Sequence, residues 1–188
     1  MYQGETTLNI GLIHHPVVNK RAEVIGSAVT NLDIHDIART ARTYGVGHYF
    51  ISTPFEDQQQ LVKQLLDHWQ TGHGATYNPA RREALGIVRI ATSLHEMTDA
   101  LTDYYQREPL LVATSARVQD NTIGYRTLGD KIHMGEPVLL LFGTAHGLAP
   151  EILEQTDATL PPIVGGTQYN HLSVRSASSI IIDRLLGS

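Results

Sequence analysis

The chain has no cysteine. That excludes disulfides and thiolate-ligated metals, and it fits a reducing, cytoplasmic setting. Long apolar runs are missing too: none approaches the ~18 residues that a membrane-spanning helix needs. The opening stretch, MYQGETTLNI, has no basic region ahead of an apolar one, so no signal peptide is expected. Positive charge is not in excess. The net charge of −5 has the wrong sign for a protein that coats nucleic acid nonspecifically, so any nucleic-acid role must rest on a local basic cluster. Lys20-Arg21, Arg39 with Arg42, and Arg81-Arg82 are the candidates, each also readable as scattered surface charge. Neither G-x-x-x-x-G-K-[ST] nor G-x-G-x-x-G occurs, which leaves a P-loop and a dinucleotide fingerprint without support. H-E-x-x-H is absent, and no carboxylate stands at ligand spacing to turn the ten histidines into a metal site.

What is there reads as globular. The 188 residues are 41% hydrophobic and 18% charged, without repeats, low-complexity tracts or a linker, so one domain spanning 1–188 is expected. LNIGLI (Leu8–Ile13) reads as a first strand. TNLDIHDIARTARTYGV reads as a helix capped by Asp33, with Asp36 in its first turn, Ile34, Ile37, Ala38 and Ala41 on one face, and Gly45 past its end. GHYFIST is a second strand ended by Pro54. EDQQQLVKQLLDHWQTG is a helix with Leu61, Leu65, Leu66 and Trp69 inward and Gly72 as its stop. ALGIVRIATS is a third strand, and Ser93 with Glu96 forms a capping-box pattern for the helix SLHEMTDALTDYY. PLLVATSA and PVLLLFG are the fourth and fifth strands. A helix around Ala149–Gln155 and a closing helix in LSVRSASSIIIDRLL complete the pattern.

Strands alternate with helices, and several strands are apolar throughout, as strands covered on both faces are. The expected class is α/β, with a mainly parallel sheet and helices on both faces. Ligands in such sheets bind at the carboxyl ends of the strands. That rule singles out TSAR after the fourth strand, GTAHGL after the fifth, and the stretch PPIVGGTQYNHL before the last helix. Gly143 and Gly147 flank one turn and Gly165-Gly166 sit in the other loop, where glycine permits φ > 0 and close main-chain approach. Two glycine-bearing loops at one sheet edge suit an adenosine-like ligand read by its base edges. Alternatively, each glycine turn is only a tight connection. His14 and His15 read as a loop pair held by backbone hydrogen bonds, while His146 and His171 either line the ligand loops or are ordinary loop residues.

VLLLFGTAHGL followed by YNHLSVRSA resembles the last two motifs of SPOUT-class methyltransferases, and DIHDIARTARTYGV is similar to the N-terminal motif of that class. Asp33 stands at the class's usual asparagine, Arg39 at its arginine and Gly45 at its glycine. The likeness is to the small branch that also appears fused behind bacterial tRNA guanine-N1 methyltransferases, and it spans nearly the whole chain. Besides Asp33, three positions depart from the class: Ala145 replaces a glutamate, Ser173 an asparagine and Arg175 a serine.

The resemblance implies a C-terminal trefoil knot and a homodimer. It implies S-adenosylmethionine held by Thr114, Ser115, Phe142, Gly143, Thr144, Gly147, Leu148, Ile163, Val164, Gly165, Gly166, His171, Leu172, Ser173 and Ser176. Arg39 would be the catalytic residue, and Arg39, Arg42 and Asp33 would bind an RNA substrate, a tRNA or an rRNA. The alternative is a non-catalytic module that binds S-adenosylmethionine and partners an RNA-modifying enzyme.

Overall fold

Leu8–Ile13 forms β1, a strand buried along its whole length at the centre of a six-stranded sheet. The computed structural model describes residues 5–187; residues 1–4 and 188, which the single-domain expectation includes, lie outside them. The other strands are β4 (Tyr49–Ser52), β5 (Val88–Ala91), β6 (Leu110–Ala113), β7 (Val138–Gly143) and β8 (Ala158–Thr159). Their order is β5-β4-β1-β7-β6-β8, and every pairing is parallel. β8 is a sixth strand that the sequence reading did not contain. A two-stranded antiparallel hairpin, β2 (Val17–Val18) with β3 (Val24–Ile25), was also not expected. Two-residue strands have no periodicity to read.

The helices are α1 (Asn31–Thr43), α2 (Glu56–Gln70), α3 (His73–Tyr77), α4 (Pro79–Leu85), α5 (Leu94–Tyr105), α6 (Tyr125–His133), α7 (Pro150–Leu153) and α8 (Val174–Leu186). Strand alternation sorts the core into two layers. Leu8, Ile10 and Leu12 of β1, with Val138, Leu140 and Phe142 of β7, meet α1, α2, α4, α6 and α8 on one face. Ile13, Leu139 and Leu141 meet α5 and α7 on the other. Helices therefore cover both faces, as the apolar strands require.

Local chemistry departs from expectation in four places. Thr30, not Asp33, caps α1: its hydroxyl accepts from Asp33 N at 3.2 Å and donates to the Asp33 carboxylate at 2.6 Å. The helix starts three residues earlier than the aspartate suggested, so Asp33 serves in the first turn. Leu61 is 45% exposed, and the inner stripe of α2 is Val62, Leu65, Leu66 and Trp69. In α5 the Ser93 cap holds, yet Glu96 reaches back to Thr92 N and Oγ1, one residue beyond the expected capping-box partner. Gly165 and Gly166 do not adopt positive φ; Gly45, Gly135 and Gly147 do.

Candidate functional site

Parallel pairing aligns the carboxyl ends of all six strands at one edge. β7, β6 and β8 are neighbours there, so Thr114-Ser115, Thr144–Leu148 and the segment from Leu160 leave the sheet side by side. The three loops chosen from the sequence are thus brought together. Asn170 ties two of them, its Nδ2 donating to Ala116 O at 2.9 Å. Tyr125 of α6 anchors the start of the third, its hydroxyl donating to Pro161 O at 3.1 Å.

The β7 loop is a closed turn. A Cβ on Gly143 would lie 2.5 Å from Leu148 N and 2.8 Å from Gly147 C, so this glycine is required by the turn's own backbone. Gly147 has φ +115 and donates its N–H to Thr144 O. Ala145 also takes positive φ. Phe142 and Leu148 are buried beneath the loop, while His146 is exposed. The turn is pinned to the β2 hairpin through His146 N to Val18 O and Val18 N to Gly147 O, both 3.0 Å.

The loop before α8 is built differently. Nothing lies within 4 Å of a Cβ placed on Gly165 or Gly166, so the freedom there is space and not torsion. Val164 and Leu172 are exposed apolar side chains, and Ile163 is half-buried. His171 is exposed, its ring edge against Tyr169 at 5.4 Å. Open main chain flanked by uncovered apolar side chains fits a ligand with a flat ring and an aliphatic arm. Ser173 caps α8, accepting from Ser176 N at 3.3 Å and meeting Ser176 Oγ at 3.0 Å. Those two hydroxyls serve the helix start first.

Below the β7 turn lies a network that sequence reading missed. Thr144 Oγ1 donates to Ile13 O at 3.0 Å, which uses its only proton, so it accepts from Ser27 Oγ. Ser27 Oγ in turn meets His14 Nδ1 at 3.1 Å and His14 O at 3.4 Å. His14 Nε2 is buried without a hydrogen-bond partner among the described residues. Burial pushes the His14 pKa below the usual histidine value, against an opposing pull from Asp33. The His14 main chain bonds to Ser52 and Ser27, as expected of a loop histidine. Ser27 stands in a stretch without periodicity, and only the fold brings it to Thr144.

Arg39 lies one element away. It is exposed on α1 and lines a groove of about 860 Å³ with Asp36, Ser173, Arg175, Ser176 and Ile180. α1 and α8 form the groove, and small side chains let them approach; Thr40 and Ser179 hydroxyls meet at 3.1 Å. Arg39 makes no ion pair among the described residues. The other two residues expected to bind substrate are engaged. Arg42 holds Glu83 at 2.9 Å and Glu5 at 3.8 Å. Asp33 meets Arg175 at 3.3 Å, and Asp36 meets the same guanidinium at 3.3 Å. The groove takes in Ser173 and Ser176 but none of the residues 114–115, 142–148 or 163–172. Among the described residues no three His, Asp or Glu side chains gather as a metal-holding group.

A family model described as SAM-dependent RNA methyltransferase matches residues 7–187. A tRNA (guanine-N(1)-)-methyltransferase of Oleidesulfovibrio alaskensis is 47% identical over 180 residues, covering 96% of this chain and 42% of that protein. The chain thus spans less than half the length of that relative. An uncharacterized protein of Aquifex aeolicus is 38% identical over 177 residues, covering 94% of this chain and 86% of its own length. Among solved structures, the TrmH/SpoU tRNA modifying enzyme of A. aeolicus superposes with a TM-score of 0.56 at 18% identity, covering 97% of this chain and 75% of that one. At that identity the superposition speaks for the fold, and the fold is that of the SPOUT class.

Proposed function

This chain belongs to the SAM-dependent RNA methyltransferase family, and from that premise we propose that it transfers a methyl group from S-adenosylmethionine to RNA. The observation that carries the reading is the convergence of the β6, β7 and β8 loops at one sheet edge, with Arg39 free in the groove beside Ser173. Main chain of residues 142–148 and 163–166, with Thr114, Ser115, His171, Leu172, Ser173 and Ser176, would hold the cofactor. Val164 and Leu172 supply apolar cover for its flat and aliphatic parts. The bound cofactor supplies an electrophilic methyl group. Thr144 keeps the β7 turn in place through Ser27 and His14. Arg39 presents five N–H donors in a planar fork, suited to gripping a phosphate or base edge of the acceptor nucleotide.

A tRNA is the first acceptor to test, because the 47% identical relative is named for tRNA. We read residues 161–173 as the wrapping loop and α8 as the threaded helix of a C-terminal trefoil knot. A homodimer through α1 and α8 is part of the same reading. Ile181 and Ile182 are buried in the chain's own core, which leaves Ile180, in the groove, for a second subunit. Residues 1–188 are read as one domain working in the cytoplasm; no helix among the described residues is long and apolar enough to cross a membrane.

A second reading draws on the 42% coverage of the longer relative: a cofactor-binding module whose chemistry is completed by a partner. The test is the purified chain with labelled S-adenosylmethionine and total tRNA or rRNA. Label transferred to RNA supports the enzyme. Cofactor binding by calorimetry without transfer supports the module.

A further inference from the structure

Between β4 and β5 the chain builds three helices, where one crossover helix would suffice to join parallel strands. The third of them, α4, packs against α1 and carries Arg81 and Arg82. The Arg81 guanidinium lies 4.6 Å over the Trp69 ring of α2. Two histidine edges close the same ring, His35 at 5.5 Å and His68 at 5.2 Å. His35 and Arg39 are one turn apart on α1, so they share a face. The His35 ring feels both neighbours: burial first, then Arg81, and also Arg39 push its pKa down, against Asp36. Arg81 and Arg39 thus bracket His35, and the positive surface continues from the groove onto α4.

The carboxylates nearest in sequence do not neutralise it. Asp36 is taken by Arg175 and Glu83 by Arg42. Among the described residues Arg39, Arg81 and Arg82 enter no ion pair. Three guanidinium groups without a carboxylate partner, on the packed helices α1 and α4, stand out in a chain of net charge −5. Arg81 differs from a solvated surface arginine: its guanidinium carbon rests over the Trp69 ring, while its N–H groups have no acceptor among the described residues. A guanidinium seated on an aromatic ring with free donors fits the bidentate geometry of a phosphate.

We infer that Arg81 and Arg82, with Trp69 as the platform, form an RNA-backbone contact surface that extends the Arg39 groove and seats the phosphates flanking the acceptor nucleotide. This rests on the methyltransferase reading and adds to it a place where the rest of the substrate lies. Its chemistry is phosphate positioning without base readout, so it sets affinity and register and not the choice of nucleotide.

The experiment titrates labelled total tRNA against the parent chain, R82Q, and the R81Q/R82Q double variant at several salt concentrations, with methyl-transfer kinetics on the same samples. Losing two phosphate contacts should flatten the plot of log binding constant against log salt by about 1.4–1.8, since each contact contributes roughly 0.7–0.9. The KM for RNA should rise on the order of tenfold, with kcat and cofactor affinity within about twofold of the parent. R82Q alone, an exposed position away from the Trp69 stack, should give roughly half the slope change and guards against a folding defect. An unchanged slope and KM in R82Q and in a double variant with the parent's melting temperature overturns the surface alone. Equal competition by polyglutamate overturns it in favour of an acidic protein partner. A parent chain that binds no RNA overturns both the surface and the methyltransferase reading.

Discussion

Asp33 and Arg175 each depart from the SPOUT motif pattern, one from asparagine and the other from serine, and the structure shows that they depart together. Arg175 at the start of α8 meets Asp33 at 3.3 Å and Asp36 at 3.3 Å, joining the two helices that form the groove. At that distance and an effective dielectric near 20, two unit charges attract by about 5 kcal/mol before desolvation and side-chain ordering oppose it. Asp33 is 14% exposed, Arg175 33% and Asp36 47%, so the cluster stands between an exposed pair worth about 0–1 kcal/mol and a buried one that costs about 3–5 when a partner is removed. Arg175→Ser should cost about 2 kcal/mol, because it strands the poorly exposed Asp33 carboxylate. Asp33→Asn should cost about 1 kcal/mol, since Arg175 keeps Asp36. The double variant restores the neutral pair of the wider class and should lose only about 1–1.5 kcal/mol, leaving a coupling of about 1.5–2. Urea unfolding of the four proteins completes the cycle, and Arg175→Ser should melt roughly 4–8 °C below the parent. Additive single effects would refute the reasoning, because the two positions would then act independently.

Gly143→Ala should destabilise by about 1–3 kcal/mol in thermal unfolding, because its Cβ would strike Leu148 N at 2.5 Å. Gly165→Val, facing open space, should leave stability within about 0.5 kcal/mol yet weaken S-adenosylmethionine binding roughly tenfold in calorimetry; unchanged binding moves the cofactor elsewhere. Arg39→Ala should cut RNA methylation on the order of 10²-fold with cofactor affinity nearly intact, and Arg39→Lys should recover little. Equal loss of both would make Arg39 structural. Burial lowers the pKa of His14, as it does those of His35 and His48, so the native state favours the neutral rings. Their stabilisation is fully present above the unfolded value of about 6.5 and is lost as pH falls through the lower folded values. Stability should thus fall from pH 7 to pH 5, and His14→Asn should reduce that slope by up to about 1.4 kcal/mol per pH unit. A slope unchanged by that substitution would mean that His14 titrates alike in the native and unfolded states and so is not buried in solution.

The strands buried on both faces were legible because all of Val138–Gly143 and every residue of Leu8–Ile13 but Asn9 are apolar, a pattern that suits a covered parallel sheet. The carboxyl-edge rule then located the three loops without knowledge of strand order. What could not be read was set by distant partners. Nothing local distinguishes Ala158–Thr159 from loop, since it becomes a strand only by pairing with Val112 and Ala113. Gly143 looked like space for a ligand, and the space is filled by its own turn four residues on. Thr30 and Asp33 are both good caps, and only the observed start of α1 separates them. Arg175 is 139 residues from Asp36 in the chain, and Ser27 is 117 from Thr144. Such contacts are products of the fold and leave no trace in spacing.

The strand order divides the molecule along one seam. β5, β4 and β1, with α1, α2 and α4, come from the first half of the chain, and β7, β6 and β8 come from the second. Only the six-residue register of β1 on β7 joins them within the sheet. Every loop assigned to the cofactor leaves the second half, while Arg39, Arg81 and Arg82 all stand on the first. Inheritance can therefore treat the two sides unequally. Helices α2 to α4 can lengthen, shorten or exchange their basic residues without disturbing the turn at Gly143 or the opening of α8. On the proposed reading, a lineage built on this plan can change its grip on RNA while the cofactor loops stay as they are.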